Sequence, residues 1–300
     1  MKKKYVFVTV MLAVLLLLGV GLTWIYVNHA EEKEADQYTV VTSFYPMYIA
    51  ALNVVGDNDR IRLENLSEPQ TGCLHDYQLT PADMQLLSTA DAFVVNGGGI
   101  ESFLEEAAEQ YPKLTIINAS GQVDLIEDNA HAWMNIEDYM TQVKTIAGEL
   151  SAADPADAEK FSENADAYLD KLSSLKEEAD AIKPLMEGKE IVIFHEAYEY
   201  VAEEYGMQVS YVMDLDEERQ VSAGEVADVV RAVQDGGVQV ILAEELYGKD
   251  MGDTVESETD AKVCYLDTLV RGDYDAGSYL DAMQQNINLL KEVFSDEKDH

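Results

Sequence analysis

The stretch TPADMQLLSTADAFVVNGG, from Thr80 to Gly98, predicts a helix followed by a buried strand. Thr80 is a favourable N-cap residue, Pro81 suits the first helical position, and Asp83 adds a negative charge to the first turn. The apolar run AFVV then ends in glycines, where the chain is expected to turn. A helix that leads directly into a buried strand is typical of a β/α fold with a parallel sheet.

The same alternation continues on both sides of this stretch. In the N-terminal half, strands are predicted at YTVVTSF, RIRLENL, DAFVVNGG and LTIINAS, and further helices at residues 46–55 and SFLEEAAEQY. In the C-terminal half, strands are predicted at EIVIFH, QVSYVM, VQVILAE and AKVCYLD, and helices begin near Glu196, Ser222 and Lys249, with a final one from about Tyr279 to Val293. The chain is therefore predicted to be α/β, with a parallel sheet in each of two lobes.

The segment between the two halves predicts helix. One helix is expected from about Ile136 to Leu150, and a longer one from Asp154 to about Pro184. The apolar residues of the longer one recur at helical spacing, at Phe161, Ala165, Tyr168, Leu172, Leu175 and Ala179. Its length would be about 40 Å at 1.5 Å per residue, so we expect a rigid helix that joins the lobes. The predicted domains are an N-terminal lobe (38–152), a linker helix (153–184) and a C-terminal lobe (185–300).

The N-terminus has the pattern of a targeting segment. Three lysines precede roughly 23 mostly apolar residues, from Tyr5 to Val27, which is long enough to span a bilayer. The end of this run is a poor match to a cleavage site, so we expect residues 1–30 to be an uncleaved anchor, with a cleaved signal as the alternative. Residues 31–37 would form a tether, and the positive N-terminal side would stay in the cytoplasm. The rest of the chain is then expected outside the cell membrane.

The charge and the cysteines restrict the function further. The net charge of −38 repels phosphate backbones, which argues against nucleic-acid binding. Cys73 and Cys264 are far apart and fit no C-x-x-C zinc or redox motif. In an exported protein they can form a disulfide, but their spacing does not decide it.

Three histidines in this histidine-poor chain are candidate metal ligands. His195 directly ends a predicted strand, and His75 and His131 lie in loops of the N-terminal half. The sequence HEAYE at 195–199 is one residue away from the zinc-protease motif H-E-x-x-H, but its fifth residue is Glu199, so a protease site is not predicted. A fourth ligand is expected from a strand-end carboxylate, either Glu244 and Glu245 or Asp267. Three imidazoles and one carboxylate suit Zn²⁺.

Four motifs in order resemble the metal-binding solute-binding proteins of bacterial ABC importers for zinc and manganese (zinc-uptake type, cluster A-I). The stretch GCLHDYQLTPADMQLLSTADAFVVNGGGIESFL resembles the family's first-ligand loop PHxYxPTPxD and the strand and turn that follow it. HAWMNIED is similar to HxWLDP, and FHEAYEYVAEEYGM is similar to HxAFxYFxxxYGL. YLDTLVRGDYDAGSYLDAMQQNINLL resembles the C-terminal D-x-L segment. The resemblance extends from Tyr38 to about Phe294.

This resemblance implies a function and a ligand set. The metal would lie in a cleft between the lobes, bound by His75, His131, His195 and Asp267. Separately, Glu244 is either an outer-shell residue or an ordinary strand-end acid, and Glu101 is either an outer-shell residue or a helix cap. In this family a histidine at the third position usually accompanies zinc, so Zn²⁺ is expected and Mn²⁺ is the alternative. The protein would deliver its ion to an ABC permease driven by an ATPase. We expect a monomer that is not an enzyme.

Two other functions fit the same residues. A zinc hydrolase would use the same ligands with Glu196 or Glu244 as a base, but it needs an open coordination position for water. A surface adhesin or interaction module would use the metal structurally, so removal of the metal would unfold it.

Overall fold

The structure, a computed structural model, describes residues 37–68, 74–75, 77–215 and 219–296. The described residues of 39–57 and of 63–300 form one compact unit, which contains the helices and most of both sheets. Residues 37–38 and 58–62 belong to a second, small unit, in which the backbone N–H of Tyr38 donates to the carbonyl oxygen of Arg60 at 2.9 Å.

The first sheet has four strands in the order β2–β1–β3–β4. These strands are β1 (Tyr38–Thr42), β2 (Ile61–Asn65), β3 (Ala92–Val95) and β4 (Thr115–Asn118). β3 is parallel to both β1 and β4, and all four of its residues are buried. Burial of every residue is expected for a central strand in a parallel sheet that is covered on both faces. The four strands predicted for the N-terminal half are confirmed.

The second sheet repeats this arrangement, with the order β6–β5–β7–β8. Its strands are β5 (Glu190–Ile193), β6 (Gln208–Val212), β7 (Val240–Ala243) and β8 (Lys262–Tyr265). β5 is parallel to β6 and β7, and β7 is parallel to β8. In both sheets the strand order reverses beside the first strand, and ligands of open α/β sheets bind outside the carboxyl ends of the strands at such a reversal. His195 lies two residues after the end of β5, at this position.

Nine α-helices lie within the described residues. They are α1 (Tyr45–Val55), α2 (Pro81–Ser88), α3 (Leu104–Gln110), α4 (Ile136–Ala153), α5 (Ala158–Ile182), α6 (Tyr198–Tyr205), α7 (Ala223–Gly236), α8 (Glu245–Glu258) and α9 (Ser278–Asp296). The start of α8 was predicted near Lys249, which is wrong by one turn. Gly248 is a weak helix former in isolation, but in the structure it lets the first turn of α8 approach Ala243 at the end of β7. Close packing against the sheet therefore outweighs local propensity.

The long helix α5 confirms the predicted link between the two sheets. It has 25 residues and so extends about 38 Å at 1.5 Å per residue. The six apolar positions read from its sequence, Phe161, Ala165, Tyr168, Leu172, Leu175 and Ala179, are all buried. Tyr139 of α4 meets Tyr168 edge-on at 6.4 Å between ring centroids and stacks on Tyr279 of α9 at 3.7 Å. This fully buried aromatic cluster connects α5 to helices from both halves of the chain.

A glycine shapes the turn after β3. Gly97 has a φ of +83°, a conformation that L side chains rarely adopt, and a Cβ at this position would collide with the side chain of Asn118. The glycines that end the predicted strand are therefore required by the turn.

Several predictions concern residues at the N-terminus and in loops. No helix among the described residues is long and apolar enough to cross a membrane. Three parts of the predictions lie outside the described residues: the anchor (1–30), the first six residues of the tether (31–36) and Cys73. Within the described part, Cys264 is buried and has no disulfide partner, and burial raises the pKa of its thiol to about 12.

Candidate metal centre

His131 is the most deeply buried of the three candidate histidines. It has no exposed surface and directly precedes a short 3-10 helix, Ala132–Met134. Its ring centroid lies 5.3 Å from that of His75 and 5.0 Å from that of His195. The three imidazoles, which are 56 and 64 residues apart in the sequence, therefore meet at one place, with His131 between the other two.

His195 is also buried, with 1% of its surface exposed. Its ring is nearly perpendicular to that of His131, with an interplanar angle of 88°. Its Nδ1 accepts a hydrogen bond from the backbone N–H of Ala197 at 3.0 Å, in the turn that leads to α6. The strand β5 and this turn thus place His195 at the carboxyl edge of the second sheet.

His75 is more exposed and lies between β2 and α2. Its side chain is 36% exposed, yet its Nε2 atom is buried and has no hydrogen-bond partner among the described residues. The residues after it are well fixed, because Thr80 and Asp83 form a reciprocal capping box at the start of α2 and Tyr77 donates to Asp83 at 3.0 Å. A buried imidazole nitrogen without a partner fits a ligand that approaches from the site.

Glu196 completes the closest group of possible ligand atoms. His75, His131 and Glu196 each offer one such atom, and these atoms lie within 4.8 Å of one another. Oε1 of Glu196 is 3.4 Å from Nδ1 of His131 and 3.9 Å from Nε2 of His75. From the sequence alone, Glu196 is a candidate only for the base of a hydrolase. Its position directly after a strand-end histidine was the available signal that it lies among these histidines.

Asp267, the predicted fourth ligand, is not one of the three members of this group. It follows β8, and its Oδ1 accepts the backbone N–H of Leu269 at 2.7 Å. The Asn286 side chain accepts from the backbone N–H of Asp267 and donates to its carbonyl oxygen, which fixes the backbone here. The next residue, Thr268, is joined to the segment that carries His131, because its carbonyl oxygen accepts a hydrogen bond from the indole of Trp133 at 2.9 Å.

Glu244 contacts an arginine in this structure. Its Oε1 accepts from Arg271 at 2.6 Å, and Arg271 also donates to the hydroxyl of Tyr247. Burial raises the pKa of Glu244, while the guanidinium of Arg271 opposes this shift. Sequence reasoning did not single out Arg271, which holds Glu244 beside the segment that carries Asp267.

Glu101 is buried behind the turn after β3. It accepts hydrogen bonds from the hydroxyl of Ser43 and from the backbone N–H groups of Asn96 and Gly97. Asn96 in turn donates to the carbonyl oxygen of Ala130, next to His131. The link from Glu101 to His131 thus passes through Asn96 and the backbone.

Aromatic residues pack around the site. Trp133 packs against His131 with 5.0 Å between ring centroids and is fully buried. Tyr198 and Tyr200 are packing residues whose hydroxyls donate to the carbonyl oxygens of Leu266 and Asn129. These two hydrogen bonds fix the backbone on either side of the histidines.

The electrostatics of the site favour a neutral imidazole at His131. Burial lowers the pKa of His131 well below its usual value, and the neighbouring His195 and His75 lower it further. A neutral imidazole has a lone pair on one ring nitrogen, which is the form that binds a metal ion. Buried nitrogen donors with one or two carboxylates nearby form a donor set suited to a divalent transition metal.

Comparisons with known proteins agree with this chemistry. Residues 40–293 match the family model described as zinc-uptake complex component A, periplasmic. The chain is 28% identical to the high-affinity zinc uptake system protein ZnuA of Bacillus subtilis over 87% of this chain and 89% of that protein. It is 27% identical to the manganese-binding lipoprotein MntA of Halalkalibacterium halodurans over 85% of this chain and 88% of that protein.

A third relative and a solved structure widen the range of metals. The iron-binding protein YfeA of Yersinia pestis is 26% identical, over 87% of each chain. The solute-binding protein FpvC of Pseudomonas aeruginosa, solved in complex with Mn²⁺, has a TM-score of 0.77 and 27% identity. That alignment covers 87% of this chain and 99% of FpvC.

Proposed function

This chain belongs to the ZnuA family of metal-binding solute-binding proteins of ABC importers, and from that premise we propose that its cargo is Zn²⁺. The family consists of non-enzymatic transport proteins, so the expectation that the chain is not an enzyme is confirmed and the hydrolase alternative is set aside. The metal is thus a solute that the protein captures and releases. We propose below which metal ion is carried, which residues bind it and how it reaches the permease.

The proposed ligands are His75, His131, His195 and Asp267. The observation that carries this assignment is the convergence of the three imidazole rings, with centroid distances of 5.0 and 5.3 Å. The backbone of Asp267 is fixed by Asn286, at the carboxyl edge of the same sheet as His195. One ion bound to all four residues would join both halves of the chain.

Glu196 is a second candidate for the oxygen ligand. His75, His131 and Glu196 can each place one ligand atom within 4.8 Å of the others, whereas Asp267 is not in that group. Asp267→Asn and Glu196→Gln separate the two candidates, because loss of the true ligand lowers metal affinity much more than loss of a neighbouring carboxylate.

The donor set favours zinc over manganese. Imidazole nitrogen suits Zn²⁺, whereas carboxylate, carbonyl and water oxygens suit Mn²⁺. Three imidazoles and one carboxylate form a nitrogen-rich tetrahedral site. The relatives named for zinc, manganese and iron are all 26–28% identical to this chain, so the choice of zinc rests on the donors.

The protein acts outside the cytoplasm, as its family does. We propose that the apolar segment at residues 1–30 holds it at the outer face of the cell membrane, where it passes its ion, as a monomer, to an ABC permease and ATPase. The strongly negative net charge of −38 raises the local concentration of cations around it.

Titration of the metal-stripped full chain with Zn²⁺ and with Mn²⁺ tests this function. We expect one Zn²⁺ per chain, weaker Mn²⁺ binding, and a loss of more than about 100-fold in Zn²⁺ affinity for His195→Ala, beyond the effect of an outer-shell residue. Arg231→Ala, at an exposed position on α7, is the control and should leave the affinity unchanged. Tighter Mn²⁺ binding, or equal affinities for the two variants, would contradict the proposal.

A further inference from the structure

Asn129 bridges two parts of the candidate metal centre. The residue is 5% exposed, and its side-chain oxygen accepts hydrogen bonds from the backbone N–H of His131 at 3.0 Å and from Nδ1 of the same histidine at 2.8 Å. Its amide nitrogen donates to the carbonyl oxygen of Glu196 and to the carboxylate of Glu199, both at 2.9 Å. One side chain therefore makes four hydrogen bonds, two on each side.

The partners decide the orientation of this amide. A backbone N–H can only donate, so the atom facing it is the oxygen, and the carbonyl and carboxylate on the other side require the NH₂ group. Since the oxygen can only accept, the proton of the neutral His131 ring is on Nδ1. The lone pair is then on Nε2, so Nε2 is the nitrogen that can coordinate an ion.

We propose that Asn129 is a positioning residue for metal capture, which fixes the tautomer of His131 and the distance between His131 and the Glu196 segment. The inference rests on the proposed function, because it assumes that His131 is a ligand. Asn129 does not touch the ion. It acts by presenting the coordinating nitrogen in its metal-binding form before the ion arrives, which removes part of the cost of binding.

His195 provides a contrast within the same site. Its Nδ1 accepts from the backbone N–H of Ala197, so in the metal-free chain its neutral ring carries the proton on Nε2. To coordinate an ion, His195 must therefore give up this hydrogen bond or change its tautomer, whereas His131 needs to do neither. The two buried histidines thus have opposite tautomers, and only that of His131 is set by a side chain. This difference makes His195 an internal reference for the experiment below.

Other contacts hold the backbone of the Asn129 loop. The backbone N–H of Asn129 donates to the carbonyl oxygen of Ile126, and the hydroxyl of Tyr200 donates to the carbonyl oxygen of Asn129. Asn96 donates to the carbonyl oxygen of the next residue, Ala130. Since none of these bonds uses the Asn129 side chain, a substitution there should leave the loop in place.

The test compares Asn129→Leu with Asn135→Ala in the full chain. Leucine is similar in size but has no polar group, so it removes all four hydrogen bonds. Asn135 lies on the same segment and only caps α4, by accepting from the backbone N–H groups of Glu137 and Asp138. It is therefore a matched control for the loss of a buried asparagine.

Two measurements are made on each protein. Nitrogen-15 NMR of labelled histidines reports which ring nitrogen carries the proton, and the signals of His131 are assigned from their loss in His131→Asn. Zn²⁺ affinity is measured by competition with a chelator. In the wild type we expect the proton of His131 on Nδ1 and that of His195 on Nε2.

For Asn129→Leu we expect mixed tautomers at His131, an unchanged His195 and about 10–100-fold weaker Zn²⁺ binding, the usual effect of losing an outer-shell partner. Asn135→Ala should melt at a lower temperature without either change. A wild-type His131 with its proton on Nε2 overturns the inference without any variant. So does an Asn129→Leu variant with wild-type affinity and tautomers. If the wild type binds no Zn²⁺, the proposed function fails, whatever tautomer His131 has.

Discussion

The indole of Trp133 donates a hydrogen bond to the backbone carbonyl oxygen of Thr268 across 2.9 Å, between residues 135 positions apart in the sequence. The carbonyl oxygen of Trp133 itself accepts from the hydroxyl of Tyr279 at 2.8 Å. The segment that carries His131 is thereby joined to the segment that carries Asp267. The relative position of these two proposed ligands therefore depends on a buried hydrogen bond between residues that are their close neighbours in the chain.

Loss of this indole hydrogen bond should reduce both stability and metal binding. Trp133→Phe leaves the buried carbonyl oxygen of Thr268 without this donor, which costs about 2 kcal/mol in the free energy of unfolding. It should also weaken Zn²⁺ binding, since the Asp267 segment is less well fixed. Urea unfolding and chelator competition measure the two effects.

Ser210→Ala is the control for this variant. It also removes one side-chain hydrogen bond to a backbone carbonyl oxygen, that of Ile191, but in the second sheet. If the two variants bind Zn²⁺ equally well, the contact between Trp133 and Thr268 has no role at the site.

Two capping boxes within the described part of the chain allow a matched comparison. Thr80 caps α2, which follows the His75 loop, and Ser222 caps α7, which follows no proposed ligand. Thr80→Ala and Ser222→Ala should each lower the free energy of unfolding by about 1 kcal/mol, because each exposes helix N–H groups. Only Thr80→Ala should also weaken Zn²⁺ binding. Equal Zn²⁺ affinities would show that the start of α2 does not position His75.

Asp138 should make stability fall as the pH rises. Burial, together with the nearby carboxylates of Glu203 and Glu204, raises the pKa of its carboxyl to about 7. In the unfolded chain an aspartate loses its proton near pH 4, so between about pH 4 and 7 the folded chain binds more protons. The free energy of unfolding therefore decreases as the pH rises through this range.

Asp138→Asn removes this titration. We expect the variant to match the wild type near pH 4, where the aspartate is largely protonated in the folded chain and the loss has barely begun, and to be more stable than the wild type at pH 8, as measured by urea unfolding at both values. Glu149→Gln, at an exposed position on the same helix, should not change the pH dependence. A variant that remains as pH-sensitive as the wild type would mean that another group titrates in this range.

Removal of the metal should leave the protein folded. Each sheet has a buried central strand, and α5 contributes seven buried side chains, none of which needs the ion. Zn²⁺ at a hundredfold excess over its dissociation constant should then add about 2.7 kcal/mol to the free energy of unfolding. Circular dichroism with and without a chelator checks this. Unfolding on chelation would favour a structural metal, as in the adhesin alternative.

Much of the fold was determined by the sequence alone, because its signals are local. The caps at Thr80 and Ser222, the buried runs of β3 and β7 and the apolar spacing of α5 each depend on residues a few positions apart. The one clear error is the start of α8. There Gly248 lies in the first turn despite its low helix propensity, because the absence of a side chain lets the helix pack closely against the end of β7. The candidate histidines were also recognisable, since few histidines occur and three lie in loops or at a strand end.

Only the tertiary structure decided how these residues meet. The sequence placed Glu196 beside His195, but its approach to His75 and His131 depends on chain segments brought together over more than 60 residues. The bridge from Asn129 to Glu196 and Glu199 depends on the same packing. Helices and strands depend mainly on residues that are close in the sequence. A metal centre depends on atoms from distant segments, which come together only when the chain folds.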